Sequence, residues 1–204
     1  MTGPPASGKT TLVEALVRRL RADGRAATGA PMDGFHLPNA ELAARGLTDH
    51  KGEPATFDAE AFVAKVRELA EGKRVSWPEY SRVLHEPVPD AVTVDPSATV
   101  VLVEGNYLLL DDEPWRQLRP LLDEVWFVEA DLDSIEGRLR ARHLEGGRSP
   151  EETERHIRES NLANARLVLG TRHRADLRVR IDPGDPELSD LTDPATGRRI
   201  SLDS

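Results

Sequence analysis

Gly3-Pro4-Pro5-Ala6-Ser7-Gly8-Lys9-Thr10 sets two glycines, a lysine and a hydroxyl at the spacing G-x-x-x-x-G-K-[ST], and the chemistry of that pattern is phosphate binding. Backbone N–H groups at a helix N-terminus wrap the phosphates, and the helix dipole favours their charge. Gly3 and Gly8 permit close approach. Lys9 reaches the β- and γ-phosphates, and the Thr10 hydroxyl suits Mg2+. Pro4 and Pro5 carry no N–H, so the cradle has to come from Ala6, Ser7, Gly8, Lys9, Thr10 and Thr11. With glycine at roughly 7% of residues, a chance match in a chain of this size is on the order of one in a hundred.

A phosphate loop alone serves switches, motors and kinases alike, so other side chains have to decide among them. Asp33-Gly34-Phe35-His36 follows a short apolar stretch that reads as a strand, and ligands bind at the carboxyl ends of parallel strands. There Asp33 can accept the proton of an acceptor hydroxyl, although an Asp-Gly turn without chemistry has the same local sequence. Val100 to Val103 is an apolar strand ending in Glu104, a carboxylate suited to Mg2+ beside the phosphates or simply to a strand end. Arg138, Arg140, Arg142 and Arg148 flank the break Glu145-Gly146-Gly147. Guanidinium groups that arrive with a closing lid would neutralise a transferring phosphoryl group. Equally, they could pair with Glu136, Glu145 and Glu151 on a solvated helix face.

The elements holding these residues alternate in type. Helical periodicity marks 9–23, 58–71, 131–144 and 150–170, with a short helix over 114–122. Strands are expected at 26–32, 99–103, 124–128 and 175–181. Such alternation predicts an α/β fold of three layers around a mostly parallel sheet, in one domain over 1–204 with a helical lid near 138–150. From Asp182 onward Pro, Gly and Asp dominate, and only irregular structure or a hairpin is expected in 182–204. The 204 residues contain no cysteine, which excludes thiolate chemistry, and the net charge of −9 argues against a general nucleic-acid binder. The longest apolar run, 100–110, is broken by Glu104 and Asn106, so no membrane span is expected, and a cytoplasmic location fits.

Taken in order, Ala6-Ser7-Gly8-Lys9-Thr10, Asp33-Gly34-Phe35-His36, Phe57-Asp58, Pro78-x-Tyr80-x-x-x-x-His85 and Glu104-Gly105 resemble the uridine kinase and phosphoribulokinase group. The segment 33–58, with Leu37-Pro38-Asn39, Arg45-Gly46-Leu47 and Lys51-Gly52, is also similar to bacterial pantothenate kinases and to fructose kinase-like proteins. The resemblance spans about residues 3–181. It implies a P-loop kinase using ATP with Mg2+, Asp33 as catalytic base, and Arg138, Arg142 and Arg148 on a lid. It also implies that Asp58 holds ribose hydroxyls and that Tyr80 and His85, with His36 nearby, contact the acceptor. That acceptor would be a nucleoside such as uridine or cytidine, with a sugar or pantothenate as alternatives. A non-catalytic ATP-binding switch is the rival of another class. Self-association into a homo-oligomer stays open.

One expectation concerns what precedes Gly3. A phosphate loop ordinarily follows a central strand of five or six residues, and only Met1 and Thr2 stand there. The sheet is therefore expected to lack its usual first strand, and an apolar segment is expected upstream in the natural protein.

Overall fold

A computed structural model describes residues 1–181 and 192–193. Its order runs α1 (Lys9–Ala22), β1 (Ala27–Pro31), α2 (Asn39–Ala44), α3 (Ala59–Ala70), β2 (Val75–Ser81), β3 (Glu86–Val94), β4 (Val100–Glu104), β5 (Trp126–Val128), α4 (Leu132–Glu145), α5 (Pro150–His156), α6 (Leu162–Gly170) and β6 (Leu177–Val179).

β1 pairs with β4 and β5 with β6, both in parallel. Thr2 joins the two pairs, bridging Gly105 on one side and Phe127 on the other. Its N–H donates to the Trp126 carbonyl at 2.8 Å, and its own carbonyl accepts from Val128 N–H at 2.7 Å. Met1 and Thr2 thus occupy the central strand position between β4 and β5, and no longer strand stands there among the described residues. Successive residues of these strands face opposite ways. Val128 and Val179 pack with Leu12 and Leu16 of α1, whereas Val103 and Phe127 face a second core with Phe62 of α3 and Val168 of α6. Helices on both faces of a parallel sheet give the expected three layers.

Two segments depart from the sequence-based expectation. β2 and β3 form an antiparallel hairpin where no strands were predicted. Pro78, Pro87 and Pro89 obscure the alternation, and such residues are tolerated because a hairpin edge need not donate at every position. The helix expected over 150–170 is divided into α5, a π-helical turn over Ile157–Asn161, and α6. The short helix over 114–122 consists of two 3-10 turns. Apart from Thr192, which exchanges two backbone hydrogen bonds with Arg180, the expectation for 182–204 lies outside the described residues.

The hairpin fixes the turn that carries Asp33. Trp77 donates its indole N–H to the Pro31 carbonyl at 2.9 Å, and Phe35 stands edge-on between Phe62 and Trp77, each 5.0 Å away. Aromatic pairs of this kind contribute about 0.5–1.5 kcal/mol each beyond the area they bury. Gly34 is required by the approach itself, since a Cβ there would lie 2.2 Å from the Pro78 carbonyl oxygen. Asp33 therefore projects from a turn clamped on both sides.

Candidate active site

The phosphate loop ends at Gly8, whose φ of 98° lies in the left-handed region that glycine tolerates best. α1 begins at the next residue, so its first amides open towards the cradle. Lys9 is only 7% exposed and donates from Nζ to the Pro4 carbonyl at 2.9 Å. Burial lowers its pKa to about 8, opposed by the Glu104 and Asp33 carboxylates. Thr10 donates its hydroxyl to Glu104 Oε1 at 3.0 Å, bringing together the two residues suited to Mg2+. Burial raises the Glu104 pKa, while Lys9 opposes the rise. The Ser7 hydroxyl is buried without a hydrogen-bond partner. An orphaned hydroxyl beside the start of α1 fits a phosphate oxygen. No cluster of three or more metal-ligating His, Asp or Glu exists among the described residues, so an ion here would rely on Thr10, Glu104, phosphate oxygens and water.

Asp33 is exposed in front of this loop. Its charge reaches Lys9, Glu104 and Arg142, which places all four at one centre. Beside it, His36 Nδ1 lies 2.8 Å from the Asp33 carbonyl oxygen. The His36 ring packs 4.0 Å from Phe57 and 4.9 Å from Tyr80, forming an aromatic wall. Burial lowers the His36 pKa against the pull of Asp33, which favours the neutral imidazole. Lys51 secures that wall. It bonds to Asn39 Oδ1 at 2.5 Å and the His85 carbonyl at 2.7 Å, with Nζ 5.3 Å from the centre of the Tyr80 ring.

The arginines expected on a lid divide by partner. Arg138 donates to the Ala6 carbonyl at 2.9 Å, so α4 touches the phosphate loop. Arg140 pairs with Glu136 and Glu154 and ties α4 to α5. Arg148 lies 3.3 Å from His143 Nδ1. Arg142 faces Asp33; crowding by the cleft lowers its pKa and the carboxylate opposes this.

Two predicted acceptor contacts stand elsewhere. The Asp58 carboxylate accepts from Ala61 N–H at 2.9 Å as the N-cap of α3. It lines a cleft of about 530 Å³ with Leu37, Phe57, Leu110, Trp115 and Leu167, and no phosphate-loop residue borders that space. The titratable groups that act on one another gather around Asp33 and not in that cleft. His85 sits exposed in the β2–β3 turn at φ 53°, and what it gives to Asn39 and Lys51 is its carbonyl. Asp58→Ala is expected to cost about 1 kcal/mol through the lost cap, read as a lowered Tm. Asp58→Asn keeps a capping oxygen and is expected to be near neutral, with acceptor KM unchanged. A raised acceptor KM in Asp58→Asn would restore a substrate contact.

Three residues of the centre were not singled out from the sequence. Tyr107 is fully buried, donates its hydroxyl to the Gly52 carbonyl at 2.5 Å, and has its pKa raised by burial and then by the Glu53 and Asp33 charges. Glu53 accepts from Ser160 at 3.2 Å, linking the loop before Phe57 to the π-helical turn behind the lid. Arg82 lies two residues beyond Tyr80, exposed in the turn that leaves β2, and its charge reaches Arg142. Tyr107, standing in the apolar run after Glu104, was legible as a buried hydroxyl. Glu53 and Arg82 gave no local signal.

A model of the "Phosphoribulokinase / Uridine kinase family" matches residues 1–181. An uncharacterized protein of Escherichia coli (strain K12), YggC, is 36% identical over 183 residues, covering 89% of this chain and 76% of its own. The uridine kinase of Brevibacillus brevis is 32% identical over 147 residues, which are 71% of this chain and 65% of that protein. Among solved structures, a Silicibacter sp. TM1040 protein with the provisional description of a fructose transport system kinase superposes with a TM-score of 0.81 at 38% identity. That match covers 87% of this chain and 86% of the other.

Proposed function

This chain belongs to the phosphoribulokinase / uridine kinase family, and we propose that it transfers the γ-phosphoryl group of ATP to a hydroxyl of a small polyhydroxylated metabolite of the sugar class. The observation that carries this is the gathering of Asp33, Lys9, Glu104 and Arg142 at the mouth of the phosphate loop. Lys9 and the amides of Ala6 through Thr11 hold the phosphates. Thr10 and Glu104 would hold Mg2+, which supplies positive charge to the phosphate oxygens when bound. Asp33 orients the acceptor hydroxyl and takes its proton, while Arg142 and Arg148 come with the lid to meet developing charge. Arg138, anchored on Ala6, keeps the lid helix in register with the loop.

The choice of a sugar-like polyol over a nucleoside follows from the acceptor contacts. Asp58 and His85, on which a nucleoside depended, are engaged with a helix cap and a hairpin turn. Glu53, whose Oε1 already meets His50 and Ser160, keeps Oε2 for vicinal hydroxyls beside Tyr107 and Asp33. A nucleoside is the second reading, favoured by the aromatic wall of His36 and Tyr80, on which a planar base could rest. An enzyme drawing on cellular ATP would work in the cytoplasm. Incubating the full chain with ATP, Mg2+ and a panel of sugars, sugar derivatives, pantothenate and nucleosides, with mass detection of product, tests the reading. A phosphorylated acceptor is expected. ATP consumption that ignores every acceptor would point instead to a switch.

A further inference from the structure

Where α4 ends, the chain closes a glycine cap around one histidine. Gly147 takes φ 84°, its N–H donates to the Leu144 carbonyl at 3.0 Å, and Arg148 N–H donates to the His143 carbonyl at 3.0 Å. A cap of this pattern brings the side chain that follows the glycine against one in the last helical turn, ordinarily in an apolar contact. Here the contact is polar and charged: Arg148 Nη1 lies 3.3 Å from His143 Nδ1. Backbone and side chain of Arg148 are thus both tied to His143.

The partners of His143 fix its protonation. A guanidinium only donates, so Nδ1 has to carry a lone pair, and the ring is neutral with its proton on Nε2. Nε2–H then donates to Asn161 Oδ1 at 2.8 Å, and Asn161 is buried in the π-helical turn. From α5 the His156 ring stands edge-on at 5.1 Å. Burial lowers the His143 pKa; Asn161 opposes the fall, and the Arg148 and Arg142 charges add to it. His156 does not titrate in the same range, because burial, Arg148 and His143 lower its pKa to about 4 against the pull of Glu53 and Asp49.

Arg140, on the same helix, shows what a neutral partner spares. The Glu136 and Glu154 carboxylates hold it and cancel its charge. An imidazole lone pair holds a guanidinium and cancels nothing. Among the described residues Arg148 has no carboxylate partner; it is exposed, and the N–H groups not engaged with His143 are open to phosphoryl oxygens. We propose that His143 is a positioning residue for phosphoryl transfer: its neutral ring, fixed by Asn161, holds a fully charged Arg148 ready for the phosphoryl group. This rests on the kinase reading and on Arg148 as a lid arginine. The sign of its pH dependence follows. Protonated His143 would turn an N–H onto a guanidinium, so the arrangement exists above the His143 pKa and is lost as pH falls through it, below the ordinary imidazole value of about 6.5.

The test uses the full chain as wild type, His143→Phe, His143→Asn, Arg148→Ala and the double variant His143→Phe/Arg148→Ala, with an acceptor identified by the panel above. His143→Phe keeps a ring against His156 but offers no lone pair. Its kcat is expected to fall roughly 10-fold, about what one hydrogen bond to a charged group contributes, with ATP KM within about twofold. His143→Asn sets Oδ1 where Nδ1 stood and is expected to recover part of that loss. Because asparagine does not titrate, its kcat profile is expected to lose the acid step at the His143 pKa, which imidazole NMR of wild type measures independently. The same spectra are expected to show the Nε2–H tautomer. In the Arg148→Ala background His143→Phe is expected to cost less than about twofold, since a residue that acts through Arg148 has nothing left to position. A Nδ1–H tautomer, an equal loss from His143→Phe with and without Arg148, or an unchanged acid profile in His143→Asn would overturn the inference. So would a lowered Tm with kcat intact, which would reduce His143 to a member of the cap. Full kcat in Arg148→Ala would overturn it while leaving the kinase reading standing. If ATP binds but no acceptor in the panel is phosphorylated, the kinase reading falls and takes this inference with it.

Discussion

Lys9→Ala is expected to lower phosphoryl transfer by about 10²- to 10³-fold, the cost of removing one preorganised charge from where negative charge develops. The structure makes this residue hard to replace. Its ammonium is buried at the start of α1, held against the Pro4 carbonyl, and surrounded by Glu104, Asp33 and Arg142. Burial lowers its pKa and the two carboxylates only partly offset that, leaving a pKa of about 8 before nucleotide binds. The sign of the pH dependence follows. Below about 8 the ammonium is charged and ready for phosphate. Above that value binding has to draw a proton from solvent, because bound phosphates favour the charged form. ATP affinity is therefore expected to fall as pH rises through 8, by at most about tenfold per unit. In Lys9→Ala the profile over the same window is expected to be flat. Titration calorimetry with ATP at several pH values, beside kcat for both proteins, checks this. Near-normal turnover of the variant would remove the phosphate-loop assignment.

The loop was fully legible because its function depends on residues adjacent in sequence: a cradle of consecutive amides has to be written consecutively. The buried strand ending at Glu104 was legible for a related reason, since a parallel strand covered on both faces reads as a continuous apolar run. The surroundings of Asp33 were not, because they come from separate elements whose approach no local pattern records. Glu53 pairs locally with His50, and only the π-helical turn adds Ser160 to it. Pro78 meets the Asp33 turn only because β2 lies over Gly34. Asp58 shows the converse. Its type and position before an apolar helical stripe suited both a sugar contact and an N-cap, and the capping geometry takes its carboxylate. The hairpin itself was hidden by its prolines. The arginines of the lid illustrate why charge runs mislead: Arg140 and Arg142 are two residues apart on one helix, yet one closes an ion-pair network and the other faces Asp33.

Asp33→Asn is expected to lower kcat by about 10²- to 10⁴-fold, the usual contribution of a general base, while ATP binding measured well below pH 8, where Lys9 stays charged, is unchanged. The substitution separates carboxylate from scaffold because of how the turn is held. The local hydrogen bonds from His36 N–H and to the His36 ring use the Asp33 carbonyl, not its side chain. Phe35 and Trp77 anchor the turn independently of Asp33. The side chain is exposed, so asparagine leaves no buried group without a partner. Tm is accordingly expected to move little. Arg142 gives a second readout. If its guanidinium and the Asp33 carboxylate act on the same transition state, Arg142→Ala should cost less in the Asp33→Asn background than in wild type. The measurements are single-turnover rates for the four proteins of that cycle, with calorimetric ATP affinity for each. A fall in ATP affinity that matches the fall in rate would make Asp33 a structural member of the turn. Strict additivity with Arg142→Ala would separate the two residues into independent roles. Loss of rate alone, with coupling to Arg142, is the outcome the geometry around Asp33 leads us to expect.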